Sequence, residues 1–184
     1  MTPLKSILAG FVLGLLALPV VAYLWAFSGH FPVATDSSPL PLEFILAHTA
    51  LHYAAVRLAP TPPPGALNVD DSDLAAAAVN YRTDCAFCHG LPNQPKPDPI
   101  RGMFPPPPQF FVKPDDDHAS MIYWRVENGI RLTGMPAFGK VLTQAQIWQL
   151  TQLLHKAKSL PAQALAQLAP APAPPPAPAA PTHP

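Results

Sequence analysis

Both cysteines of this 184-residue chain fall within one heptapeptide, "DCAFCHG", from Asp84 to Gly90. Cys85 and Cys88 stand three apart and His89 follows at once. Two cysteines rule out a scaffold held by several disulfides. A cluster of this kind suits a redox-active dithiol, a metal site or the covalent attachment of a haem, and each demands a different surrounding fold. The rest of the chain has to choose.

The choice depends on how the chain divides. From Ile7 to Phe27 there is no charged residue, and a helix of that length, rising 1.5 Å per residue, reaches roughly 31 Å, enough to cross a hydrocarbon core. The apolar core of a cleaved signal peptide is shorter, about 7–15 residues. Residues 1–30 are therefore expected to form an uncleaved transmembrane anchor, with Tyr23, Trp25 and Phe27 as an interfacial belt. Lys5 precedes the span and the next cation is Arg57, which puts the N-terminus in the cytoplasm and the remainder outside it. Residues 31–67 hold a predicted amphipathic helix over 41–58, with Phe44, Ala47, Leu51, Ala54, Ala55 and Leu58 as its stripe, then the stiff "TPPPG" linker. His48 and His52 lie four apart on that helix without further ligands nearby. A domain is expected over 68–160. Residues 161–184, rich in Pro and Ala, are expected to be a disordered tail. The 28 prolines, about three times ordinary usage, keep much of the chain out of regular structure. Formal net charge is zero, which argues against a general nucleic-acid binder.

Within 68–160 the pattern predicts three helices and few or no strands. The first spans about 72–83, capped by Asp71 or Ser72, and its alanine run allows close approach of a neighbour. The second covers about 117–128, with Gly129 as a left-handed cap. The third follows Thr143, which pairs with Gln146 in a capping box and precedes the stripe Ile147, Leu150, Leu153 and Leu154. Between them run long Pro- and Gly-rich loops. So much loop leaves a thin apolar core and room for something else at its centre.

A thioredoxin-like dithiol needs a strand-to-helix junction in a βαβ fold, but "CAFCH" follows a helix and leads into proline-rich coil. Structural zinc takes four Cys or His ligands, and no second pair exists. A plain disulfide leaves His89 unexplained. Cys-x-x-Cys-His is the attachment sequence of c-type haem: two thiols form thioethers to the macrocycle, and the adjacent imidazole becomes an axial ligand of the iron.

From Leu74 to Leu160 the chain resembles a class I c-type cytochrome of the membrane-anchored bacterial sort. The resemblance rests on Tyr81 just before the motif, "CAFCH", the "PPPPQF" loop, the "TGMPAF" turn and Trp148 in the last helix. It implies a mainly α, cytochrome c-type fold: three to four short helices and Pro/Gly-rich loops around one covalent haem c. It also implies that Cys85 and Cys88 carry the haem and that His89 is one axial ligand. Met135 is then the other, held between Gly134 and Pro136, whereas Met121 sits inside a helix and Met103 lies on the histidine side. The His89 Nδ1–H is expected to meet the carbonyl of Pro108, with Pro107 as the alternative, and Arg131 to serve the haem propionates. The small residue of the first helix is Ala77, facing Trp148.

The resulting expectation is an electron-transfer protein rather than an enzyme, since no general base, nucleophile or substrate pocket is evident. It is a monohaem carrier in the cytoplasmic (inner) membrane, anchored by its N-terminal helix, with the haem domain on the periplasmic side. Its partners are redox proteins: a membrane donor complex and a periplasmic or terminal acceptor. The alternatives are a haem-based ligand-binding or sensor module and a cytochrome subunit of a larger oxidoreductase complex.

Overall fold

The computed structural model describes residues 3–169. Two compact units divide the chain, Met1–Leu46 and a second beginning at Ala47. The first is dominated by α1 (Pro3–Phe27), with mean hydropathy 2.5 over its most apolar window and no buried residue. It is the one described helix long and apolar enough to cross a membrane. Aromatic side chains gather at its end: Tyr23 and Phe27 at 4.5 Å between ring centroids, Trp25 and Phe31 at 5.0 Å. Helix α2 (Glu43–Leu58) buries only Ala55 fully. Of the rest of the predicted stripe, Leu51 and Ala54 are half-buried and Phe44, Ala47 and Leu58 are exposed.

In the second unit the elements are α3 (Asp71–Asp84), α4 (Ala86–His89), α5 (Ala119–Asn128), α6 (Gln144–His155) and α7 (Ala162–Leu168), with 3-10 turns at Asp98–Gly102 and Phe138–Lys140. Strands are absent among the described residues, as the missing period-two alternation predicts. The cap of α3 is Asp70, ahead of both expected positions, Asp71 and Ser72: its carboxylate accepts the Asp73 N–H at 2.8 Å, and the Asp73 carboxylate accepts the Asp70 N–H at 3.2 Å. The predicted Thr143–Gln146 box starts α6. Helix α5 starts at Ala119, two residues later than its acidic run suggests. Asp117 and Asp115 turn back instead to the Arg125 guanidinium, at 2.5 and 3.5 Å, so neither carboxylate is left to cap a helix end.

The core forms where α3 meets α6 and α7 and where α5 meets α6. Ala77 and Ala78 of α3 are completely buried, in one core cluster with Leu150 and Leu153 of α6 and Leu168 of α7. Trp148 stacks on Tyr123, 4.3 Å between centroids, and so ties α6 to α5. Gln149 reaches across to Asp73 at 2.8 Å.

Helix α7 corrects the expectation of a disordered tail from residue 161. Leu160, Ala164 and Leu168 recur every four residues and form one buried ridge against α3. Burying Leu168 alone contributes about 1.5–3 kcal/mol, enough to hold a two-turn helix that would not persist in isolation. The remaining tail, 170–184, lies outside the described residues.

Candidate functional site

The cysteine turn grows out of the end of α3. Cys85 caps that helix, its N–H bonded to the Tyr81 carbonyl at 2.9 Å, and it also begins α4. Bonds from the N–H of Cys88 and His89 to the Cys85 carbonyl, at 3.1 and 2.9 Å, close one helical turn. That turn places positions 85, 88 and 89 on one side. Gly90 ends it at φ +72°, and its carbonyl accepts the buried Tyr81 hydroxyl at 3.0 Å. Neither cysteine is paired. Burial, reinforced by Asp84 and then Cys88, pushes the Cys85 thiol up to about 12. A reactive thiol has a depressed pKa, and Cys85 is shifted the other way. Among the described residues, no three His, Cys, Asp or Glu side chains converge to hold a metal ion.

His89 is fixed by two contacts. Its Nδ1 lies 2.8 Å from the Pro108 carbonyl and its ring stacks on Phe110, 4.7 Å between centroids and 25° between planes. A carbonyl only accepts, so Nδ1 carries the proton and Nε2 keeps a lone pair. Burial lowers the proton affinity of the ring and outweighs the opposing Pro108 bond. The side chain is thus a neutral imidazole with its outer nitrogen open. The Pro107 carbonyl is taken by a different group, the Gln109 amide, at 3.1 Å.

The methionine loop, by contrast, is bound to itself. Ile130 N–H donates to the Met135 carbonyl and Thr133 N–H to the Ile130 carbonyl, each at 3.2 Å. The Thr133 hydroxyl donates to the Ile130 carbonyl at 2.8 Å and accepts the Met135 N–H at 3.1 Å. Gly129, at φ +66°, passes so close to Pro136 that an added Cβ would stand 2.6 Å from its carbonyl carbon. Met103 rests its terminal methyl where a Gly134 side chain would be. Met121 is buried in α5. Arg131 is exposed and has neither a hydrogen bond nor an ion pair among the described residues.

These pieces meet on one apolar cluster. Phe110, on which His89 stacks, belongs to it, and Cys85, Phe111, Met135, Phe138 and Leu142 pack against it half-buried. Cys85 of the cysteine turn and Met135 of its loop therefore border the same apolar cluster that His89 reaches through Phe110, although they are far apart in sequence, while Arg131 lies in solvent. Sequence reasoning passed over Phe110 and Gln109. The available signal was their place directly after the proline whose carbonyl His89 meets.

The donor set suits a covalently held haem: two unpaired thiols on one turn, an imidazole already in its ligand tautomer and a thioether on the border of the same apolar cluster. Residues 72–154 form a c-type cytochrome domain, an electron-transfer module that carries haem c bound covalently. The family model matching them is that of cytochrome c oxidase, cbb3-type, subunit III. Neither the curated proteins nor the solved structures hold a match to the chain.

Proposed function

We propose that the chain is a monohaem electron carrier, tethered by α1 to a cytoplasmic membrane with its haem domain on the periplasmic side. In this reading Cys85 and Cys88 form the thioethers, and His89 Nε2 and the Met135 thioether are the axial ligands. The observation that carries it is the His89 tautomer: the 2.8 Å bond to Pro108 commits Nδ1 as a donor and leaves Nε2 bare, beside a cluster that Cys85 and Met135 also border. When bound, the haem supplies the one-electron couple, and methionine ligation raises its potential. The protein's part is to hold that geometry in both oxidation states and to keep water away. His89 is held by Pro108 and Phe110, and Met135 by a loop whose own hydrogen bonds stay within Ile130 to Met135, with Met103 packed against Gly134. The uncharged run of α1, with Lys5 before it and no cation between it and Arg57, supports the topology.

Met135→Ala tests the ligand assignment. The expected product keeps its haem attached, becomes high-spin, binds carbon monoxide rapidly when reduced and has a lower potential. A low-spin spectrum in the variant would place the sixth ligand elsewhere. Rapid carbon monoxide binding by the unaltered protein would make it a ligand-binding module. The match to an oxidase subunit model favours a second reading, a cytochrome subunit of a larger oxidoreductase. Stable co-purification with other membrane subunits in mild detergent separates that reading from a free carrier.

A further inference from the structure

The proline run that meets His89 has a defect that the fold has to repair. Pro105 to Pro108 carry no N–H, so the segment has no backbone donor with which to tie itself to the cysteine turn. Yet the Pro108 carbonyl has to stay in place if it is to orient His89. The Gln109 side chain supplies what the backbone lacks. Its amide nitrogen lies 3.0 Å from the Cys88 carbonyl and 3.1 Å from the Pro107 carbonyl. Both partners are acceptors, so the nitrogen is unambiguous and both of its N–H groups are used. One donor grips the residue before His89 and the other grips the residue before Pro108. The amide Oε1 then lies 2.7 Å from where a Gly90 Cβ would stand, in space that only glycine leaves open.

We infer that Gln109 is a positioning residue for the axial histidine, a side-chain clamp that fixes the Pro108 carbonyl relative to the His89 ring and so tunes the basicity of that ligand. This rests on the reading of His89 as an iron ligand. A firm Nδ1–H bond makes the imidazole a stronger electron donor and favours the oxidised iron. Loosening the clamp weakens that donation.

Gln109→Leu keeps the bulk and removes both donors. In the haem-loaded variant, hydrogen exchange at His89 Nδ1–H is expected to quicken. The reduced-to-oxidised ratio at a fixed solution potential is expected to rise about two- to tenfold, the factor an ordinary hydrogen bond commands. A purely structural role would lower thermal stability and leave both readings alone, and that result overturns the inference. Should the variant fail to mature, the unaltered holoprotein decides. Both Gln109 amide protons should exchange far more slowly than those of the exposed Gln144 and Gln163, and exchange at the same rate refutes the clamp. Loss of paramagnetic shifts at the His89 ring in the unaltered protein would instead overturn the ligand assignment.

Discussion

The two sides of the site are held by different means. On the histidine side the turn closes on itself locally, but the side-chain bonds that aim the ring come from elsewhere in the chain: His89 to Pro108 and Gln109 to Cys88, with Tyr81 reaching the Gly90 carbonyl. On the methionine side the hydrogen bonds stay within Ile130 to Met135, and the close approach of Gly129 to Pro136 seals the turn. Under the proposed assignment, with the haem attached at the cysteine turn and Met135 as a ligand, the difference follows from what each side must do. A turn that carries covalent attachments is fixed to its cofactor in any event, so its surroundings need only aim the imidazole. A thioether is a weak ligand whose only hold on the iron is the rigidity of its own loop, and short local bonds provide that at little entropic cost.

The sharpest way to break this contrast is to put a methyl group on each side's glycine. Gly129 and Gly90 share a backbone region that other residues rarely adopt, with φ of +66° and +72° and ψ near 180°, which costs about 1–3 kcal/mol for alanine. They differ in what the methyl would strike. At Gly129 it meets the Pro136 carbonyl group and the Ala137 nitrogen at 2.6–2.7 Å, all backbone; at Gly90 it meets the end of the Gln109 side chain. Gly129→Ala is therefore expected to lose about 3 kcal/mol or more in chemical denaturation, with the Met135 loop displaced. Gly90→Ala should cost clearly less, because Gln109 can swing away. Equal losses would mean that backbone strain alone sets both.

An intermediate effect is expected from Tyr81→Phe. The Tyr81 phenol is almost completely buried, and burial, with a smaller push from Cys85, raises its pKa far above the ordinary tyrosine value, so the hydroxyl remains a donor across the working pH range. Removing it leaves the Gly90 carbonyl without that partner, a loss of about 1–2 kcal/mol. Because the bond belongs to the histidine side, the variant should unfold earlier yet bind exogenous imidazole no better than the parent protein. Raised imidazole affinity would show that the two sides are mechanically coupled.

What the sequence alone disclosed follows the same line between local and distant. The Thr143–Gln146 box, the Gly129 cap and the cysteine turn were all legible, because each is a pattern within a few residues. Helix α7 was not: "AQALAQL" looks like low complexity until the alanine face of α3 is there to receive Leu168. The start of α5 was misplaced because Asp117 pairs with Arg125, eight residues on, rather than capping the nearest helix end. Gln109 stayed hidden for the same reason, since its partner carbonyl on Cys88 is set by the fold. Trp148 was legible as a packing residue, but its stacking on Tyr123 depends on how α5 crosses α6.

The smallest expected effect probes the methionine side alone. Thr133→Val preserves shape and removes the hydroxyl that accepts the Met135 N–H and donates to the Ile130 carbonyl. That carbonyl keeps its bond from the Thr133 N–H, and the loop is half-exposed, so water can replace what is lost; global stability should fall by less than about 1 kcal/mol. The loop, however, loses the bond nearest to Met135, the proposed ligand. Oxidised holoprotein titrated with imidazole should bind it several-fold more tightly than the parent, because the thioether gives way more readily while the histidine side is untouched. If the affinity is unchanged, the hydroxyl is dispensable and the turn is held by the Gly129–Pro136 contact and by Met103 against Gly134. The rigidity of the methionine side would then come from packing rather than from its hydrogen bonds.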